Sequence, residues 1–163
     1  TDTRGFFFET YNKKDFDSAG IVVQFVQDNQ SWSKKNVIRG LHFQETPYEQ
    51  GKLVSVVKGK VRDVVVDIRP GSHSFGQHVA IELSEDNKRM LWIPPGFAHG
   101  FSVLEDDTMF QYKCTRFYNK SSEKGIRYDD ATLNIDWGVD SPIVSEKDLQ
   151  LISFNEYKSQ SIV

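Results

Sequence analysis

The feature that most constrains the fold of this chain is a series of short runs of β-branched and aromatic residues separated by polar turns. Short strands at close spacing predict a sandwich or a barrel. The candidate strands are 6–11, 21–26, 53–57, 61–68, 79–83, 90–93, 101–104, 109–112 and 126–128. Only 13–18 and a turn after Ser145, which is suited to cap it, have a helical character.

Length and charge narrow the class of protein. The 163 residues fit one domain, 1–163, with a full core. A formal net charge of -3 gives no general attraction to nucleic acid or to an anionic membrane, so any phosphate site must be local. No apolar run approaches the roughly 20 residues that span a bilayer. Cys114 is the single cysteine, which excludes an intrachain disulfide and fits a reducing cytoplasm.

The densest candidate site is the segment 39–44, with sequence RGLHFQ. In a regular strand, Arg39 and His42 would face opposite sides of the sheet. A bend at Gly40 would bring both to one side. The functional interpretation is that His42 is a general base beside Arg39, which binds phosphate. The alternative is that His42 is a core histidine and Arg39 a surface arginine.

A second histidine, His99, lies between Gly96 and Gly100 after two prolines. A tight loop there would let His99 donate a hydrogen bond to phosphate, and the alternative is a packed turn histidine. His73 and His78 lie in a polar, loop-like stretch and are expected to be solvated. The His-x-His pattern of metal-binding cupins, which is followed by a glutamate, is missing, so we expect no metal site.

Other polar residues carry weaker signals. The side-chain amides of Gln27 and Asn29 and the carboxylate of Asp28 are able to form hydrogen bonds with the edge of a nucleobase or with a ribose. The alternative is that these residues form a simple turn. Arg4 and Glu9 flank a phenylalanine run, as the charged ends of an edge strand would. A tyrosine such as Tyr112 acts as a general acid when it points into a pocket, and a carboxylate such as Asp148 orients a histidine.

Taken in order, these segments resemble the dTDP-4-dehydrorhamnose 3,5-epimerases. The resemblance covers essentially the whole chain. It is carried by 2–9 (DTRGFFFE), 25–29 (FVQDN), 37–44 (VIRGLHFQ), 50–54 (QGKLV), 63–69 (DVVVDIR), 91–94 (LWIP), 96–101 (GFAHGF), 112–113 (YK), Glu123 and 145–148 (SEKD).

The resemblance implies an all-β, cupin-like jelly-roll (a double-stranded β-helix) with a few short peripheral helices. It also implies a homodimer whose N-terminal strands exchange between subunits, so that Arg4 and Glu9 serve the partner's site. One or two further strands are expected before Thr1.

The resemblance also implies roles for individual residues. His42 is the expected base, Asp148 its carboxylate partner, Tyr112 the acid on the opposite face of the sugar, and Lys52 the group near the ketone oxygen. The residues expected to bind the substrate are Arg4, Arg39, His99 and Lys147 at the diphosphate, Glu9, Gln27, Asp28, Asn29 and Glu123 elsewhere on the nucleotide, and Phe7 and Tyr118 stacked on thymine.

The implied reaction inverts C3 and C5 of dTDP-4-dehydro-6-deoxy-D-glucose through an enolate and needs no cofactor. The missing dinucleotide glycine motif agrees with chemistry that has no redox change. Three alternatives stay open: an epimerase that inverts only C3 or only C5, a nucleotide-sugar-binding cupin without catalysis, and a metal-dependent cupin oxygenase or isomerase.

Overall fold

The computed structural model describes residues 2–161, which contain nine strands and three short helices. In chain order they are α1 (Lys13–Ser18), β1 (Gln27–Ser33), β2 (Ile38–Gln44), β3 (Lys52–Lys58), β4 (Lys60–Asp67), β5 (His78–Ser84), β6 (Met90–Ile93), β7 (Phe97–Val103), β8 (Thr108–Cys114), β9 (Glu123–Gly125), α2 (Glu146–Leu149) and α3 (Phe154–Ser161).

The strands form two antiparallel sheets, in the orders β1-β8-β3-β6 and β5-β4-β7-β2-β9. One core cluster joins the sheets and contains side chains from both, including Val54, Val65 and Phe101. The rings of Phe101 and Phe110 stack across the interface with centroids 4.1 Å apart. The predicted all-β, cupin-like jelly-roll is confirmed.

Strand β4, inside the five-stranded sheet, is buried on both faces. In β4, Val61 and Val65 belong to the core between the sheets, whereas Val64 and Val66 belong to a second cluster on the other face. The chain beyond β9 covers that second face, and Phe154 of α3 is part of the cluster. A strand buried on both faces reads as a continuous apolar run, which explains the sequence of β4.

Two N-terminal strand predictions were wrong. Residues 6–11 and 21–26 are irregular, although Val26 N donates to Cys114 O at 2.9 Å. The strand begins at Gln27 and runs through a polar segment that pairs with β8. Because β1 lies at a sheet edge and its residues are mostly half-buried or exposed, backbone pairing rather than apolar side chains defines it.

Other boundaries also differed. His99 lies in strand β7 rather than in a loop, and His78 begins β5. The strand expected at 126–128 is replaced by β9 and an isolated bridge between Ile126 and Ile152. Helix α3 was not predicted. The helix at 13–18 and the Ser145 cap are confirmed, since Ser145 Oγ accepts from Asp148 N at 3.1 Å.

None of the helices in residues 2–161 has the length and apolar character needed to cross a membrane.

Candidate active site

A bulge in β2 turns Arg39 and His42 toward the same cavity. The register of β2 against β7 shifts between these two residues, and Gly40 has φ 122°. A Cβ atom on Gly40 would lie 2.5 Å from Gly100 Cα, so no side chain fits. Position 40 therefore requires glycine for both its left-handed backbone and the close approach of β7, and of the two arrangements that the sequence left open the structure has the bend.

A strap formed by residues 143–148 brings Asp148 to His42. Ile38 N donates to Ile143 O at 2.9 Å, and Ile143 N donates to Asn36 O at 2.8 Å. Asp148 is buried, its Oδ1 lies 2.8 Å from His42 Nε2, and its Oδ2 accepts from Gly40 N at 3.2 Å. The carboxylate therefore fixes the orientation of the imidazole and leaves Nδ1 as the ring nitrogen that it does not engage.

The electrostatics of Asp148 favour its charged form. Burial alone raises the pKa of this carboxyl, but the hydrogen bond and charge of His42, the Gly40 N–H and Lys147 together bring the pKa below its usual value. An ionised carboxylate beside His42 stabilises the imidazolium that forms when the ring takes up a proton.

Lys52 and Tyr112 face His42 from the other sheet. Lys52 Nζ lies 5.9 Å from the centroid of the Tyr112 ring. Burial lowers the pKa of Lys52, and the charges of Cys114, Asp63 and Glu123 oppose that shift. Burial raises the pKa of Tyr112, with Cys114 and Glu123 adding to the increase and Arg39 opposing it. Tyr112 therefore keeps its hydroxyl proton at neutral pH.

These residues line one cavity of about 540 Å³ at the end of the sandwich. Its walls come from both sheets and from the strap. They consist of Ser31, Val37, Ile38, Arg39, His42, Lys52, His99, Phe101, Phe110, Tyr112, Ile143, Val144, Ser145, Lys147 and Asp148. The cavity thus combines a half-buried histidine with a carboxylate partner, a half-buried phenol and three cationic side chains.

A second histidine–carboxylate pair supports the floor of the cavity. His99 Nε2 lies 2.9 Å from Asp63 Oδ2, and both side chains are buried. Among the described residues, Asp63 Oδ1 has no hydrogen-bond partner. The pair fixes the His99 ring beside Phe110, at a centroid distance of 6.0 Å. His99 is therefore a rigid part of the wall rather than a mobile loop residue.

Glu123 connects two other predicted residues at the cavity mouth. Its Oε2 accepts from Lys147 Nζ at 2.6 Å and from Tyr118 Oη at 2.7 Å. Burial raises the pKa of Glu123, but the hydrogen bonds from Lys147 and Tyr118 and the nearby positive charges bring it below its usual value. The same contact raises the pKa of Lys147, which remains a cation at the cavity mouth.

The polar residues of β1 divide between the two faces of the sheet. Gln27 donates from Nε2 to Asn29 Oδ1 at 3.0 Å, and Asn29 donates to the thiol of Cys114 at 3.6 Å. Asp28 alternates with them and forms an ion pair with Lys113 at 2.9 Å. The structure therefore places Gln27 and Asn29 on the face of Ser31 and the cavity, and Asp28 on the opposite face.

The structure does not bring the N-terminal candidates to this cavity. Arg4 forms an exposed ion pair with Asp2, and Glu9 accepts from Asn12 at 2.9 Å. Phe7 is 93% exposed. These three residues lie on the irregular segment before α1, away from the cavity formed by their own chain.

Sequence reasoning missed several wall residues. Ser31 lines the cavity, and its buried hydroxyl has no partner among residues 2–161. The alternation of Gln27, Asn29 and Ser31 on one strand face would have found it. Nothing in the local sequence predicts that Asp63 supports His99 or that Ile143 and Val144 line the cavity. Only the packing of β4 and of the strap brings these residues to the site.

Residues 2–161 contain no group of three or more histidine, cysteine, aspartate or glutamate side chains arranged to hold a metal ion.

The fold and the cavity define a class: a cupin-like jelly-roll with a histidine–aspartate pair opposite a tyrosine and a lysine. A family model described as dTDP-4-dehydrorhamnose 3,5-epimerase matches residues 1–156. The chain belongs to the dTDP-4-dehydrorhamnose 3,5-epimerase family.

Individual relatives are similar to this chain in sequence and in structure. The dTDP-4-dehydrorhamnose 3,5-epimerase of Shigella flexneri is 55% identical over 149 residues, covering 91% of this chain and 82% of the relative. The Bacillus anthracis str. Ames enzyme with TDP and PPi bound is 45% identical, with a TM-score of 0.93 over 94% of this chain and 89% of that one. The Legionella pneumophila dTDP-6-deoxy-D-glucose-3,5-epimerase in complex with dTDP-4-keto-L-rhamnose is 48% identical. Its TM-score is 0.94, and the match covers 99% of this chain and 86% of that one.

Proposed function

We propose that this protein inverts C3 and C5 of dTDP-4-dehydro-6-deoxy-D-glucose to give dTDP-4-dehydro-L-rhamnose. The reaction belongs to dTDP-L-rhamnose biosynthesis and takes place in the cytoplasm. The observation that carries the proposal is the placement of His42 and Asp148 on one wall of the cavity and Tyr112 and Lys52 on the other. The bound ketosugar of the Legionella pneumophila relative supports the same substrate class.

His42 is the base in this proposal. The C4 ketone acidifies the C–H bonds at C3 and C5, and His42 takes one of these protons while the C–H electrons form the enolate. Asp148 lies 2.8 Å from the ring and stabilises the imidazolium. Lys52 supplies a positive charge to the enolate oxygen. The same steps repeat at the second carbon.

Tyr112 completes each inversion as the acid. Its hydroxyl delivers a proton to the opposite face of the carbon, and its pKa is raised by burial, so the proton is present at neutral pH. The tyrosinate regains a proton from solvent, and the His42 imidazolium releases one to solvent. No electrons are exchanged with a cofactor at any step.

The cationic side chains at the mouth of the cavity bind the nucleotide. Arg39 and Lys147 line the cavity together with His99, and a diphosphate is an anion that arginine binds in bidentate fashion. The local concentration of basic groups explains how a chain with a net charge of -3 holds an anionic ligand. Gln27, Asn29, Glu123 and Tyr118 surround the same mouth and complete the nucleotide site.

The proposal includes a homodimer with exchanged N-terminal segments. Arg4, Glu9 and the exposed Phe7 do not line the cavity of their own chain, yet the family resemblance assigns them to nucleotide binding. Exchange between subunits would bring them to the partner's site. The exposed side chains of Phe6, at 62%, and Phe7 supply apolar area for that contact.

Deuterium exchange tests the function directly. The protein is incubated with the ketosugar nucleotide in D₂O, and NMR follows label at C3 and C5 together with the stereochemistry of the product. We expect label and inversion at both carbons, unchanged by a chelator. Label at one carbon identifies a mono-epimerase, the absence of label identifies a binding protein, and loss of activity with the chelator identifies metal chemistry.

A further inference from the structure

Three consecutive residues at the cavity mouth, 117–119, have their backbone held by side chains rather than by a strand. They follow β8 and carry two exposed aromatic rings, with Phe117 68% exposed and Tyr118 51% exposed. Tyr118 N donates to Gln27 Oε1 at 2.9 Å, and Asn119 N donates to Gln44 Oε1 at 2.6 Å. The loop is therefore anchored to both sheets at once.

Gln44 makes most of these contacts. It is the last residue of β2, two positions after His42, and its side chain is 7% exposed. Its Nε2 donates to Tyr48 O at 2.6 Å and lies 3.5 Å from Phe117 O. One buried amide thus ties the loop of Tyr48 and the loop of Phe117 to the strand that carries His42. A buried amide with both ends engaged specifies one loop conformation.

The tyrosine ring of this loop is fixed at its other end as well. Tyr118 Oη donates to Glu123 Oε2 at 2.7 Å, and Glu123 also binds Lys147. The Tyr118 backbone is held by Gln27, and its neighbours are held by Gln44. The ring therefore has a defined position in spite of its exposure, and its face is available to a flat ligand group.

We infer that Gln44 is a positioning residue for nucleobase recognition. It holds the 117–119 loop so that Tyr118 presents a preformed stacking surface to the base of the substrate. This inference rests on the proposed function, because it assigns the ligand of that loop as the base of a nucleoside diphosphate sugar. Preforming the surface reduces the ordering cost of binding, so Gln44 acts on affinity for ligands that carry a base.

A volume-matched substitution separates this role from packing. Gln44→Met keeps the length of the side chain and removes all three polar contacts. We expect calorimetry to show roughly tenfold weaker binding of dTDP and nearly unchanged binding of inorganic pyrophosphate, which has no base. We expect KM for the nucleotide sugar to rise by a similar factor while kcat stays within about twofold, because His42 and its wall are untouched.

Control variants sharpen the comparison. Gln111→Met changes a half-buried glutamine on the face of β8 opposite Tyr112, and it should leave dTDP binding unchanged. In a Tyr118→Ala background, Gln44→Met should add no further loss, because its effect passes through that ring. If Gln44→Met does not fold, Gln44→Glu removes the donor to the Tyr48 and Phe117 carbonyls and gives the same comparison.

Several outcomes would overturn the inference: equal loss of dTDP and pyrophosphate binding, unchanged dTDP binding by a folded variant, or a full additional loss in the Tyr118→Ala background. Failure of the proposed function is visible separately, in the wild-type protein. A wild type that binds dTDP but exchanges no deuterium at C3 or C5 is not an epimerase, and the dTDP-against-pyrophosphate comparison still decides the role of Gln44.

Discussion

His42 Nε2 lies 2.8 Å from Asp148 Oδ1, although 106 positions separate the two residues in the chain. The contact joins the bulged strand β2 to the short helix α2. The same carboxylate also accepts from Gly40 N at 3.2 Å, so it secures the bulge and the histidine together. The orientation of the His42 ring therefore depends on one buried side chain, that of Asp148.

Replacing Asp148 with asparagine tests that dependence. We expect Asp148→Asn to lower the rate of deuterium exchange roughly 100-fold, because the imidazolium loses its charged partner, and His42→Ala to lower it by about 1,000-fold or more. Calorimetry with dTDP should change little for His42→Ala. Wild-type exchange by a folded His42→Ala protein would show that His42 is not the base.

Tyr112→Phe should separate proton removal from inversion. The variant keeps His42 but has no hydroxyl to deliver a proton to the opposite face of the sugar. We expect deuterium to enter the substrate from the His42 side faster than inverted product appears, whereas in the wild type the two are coupled. NMR of the remaining substrate measures the label and chromatography measures the product. Equal loss of both would instead give Tyr112 a role in proton removal.

The alkaline limb of the pH profile should report Lys52. Because burial lowers the pKa of Lys52 below its ordinary value of 10.5, its positive charge is lost at a lower pH than in an exposed lysine. The raised pKa of Tyr112 keeps that phenol protonated beyond the same range. We expect kcat/KM to fall on the alkaline side, at a lower pH than an exposed lysine would give, and Lys52→Arg to shift that fall to higher pH because guanidinium stays charged. Lys52→Met should lose about 100-fold at every pH.

Asp67 should control acid stability without affecting catalysis. Arg69, Ser72 and Ser74 all donate to its buried carboxylate, and the Arg69 contact above all lowers the pKa of Asp67 far below its usual 3.8. The stabilisation is present above about pH 4 and is lost as the pH falls toward the lowered native pKa. Chemical denaturation should show Asp67→Asn less stable by about 2 kcal/mol at pH 7, with the difference shrinking in acid. A difference that is constant with pH would contradict this assignment.

Mixing two inactive variants tests the exchanged dimer. One protein carries His42→Ala and the other carries Arg4→Ala with Glu9→Ala. In a mixed dimer, one cavity receives an intact His42 and an intact partner segment, so we expect activity to reappear when the two are mixed after unfolding and refolding. Activity that stays at the level of the separate variants would show that each chain uses its own N-terminal segment, or that this segment does not bind the nucleotide.

The sequence predicted some elements well and others poorly, for local reasons. The apolar run in β4 is long enough to identify by itself, and Ser145 caps α2 as expected from residue type. The polar strand β1 was missed, because a half-buried edge strand is defined by its partner. The aromatic run at 6–11 has the composition of a strand, but among residues 2–161 it pairs with neither sheet.

The sequence by itself determined the all-β class and the types of side chain that proton transfer requires. Only the tertiary structure decided which of them meet. It brought Asp148 to His42, Asp63 to His99 and Gln44 to the 117–119 loop, and it turned Asp28 away from Gln27 and Asn29. The physical reason is that residue type and strand periodicity are local properties. Contacts between distant segments depend instead on sheet register, on the bulge at Gly40 and on the strap that closes over β2.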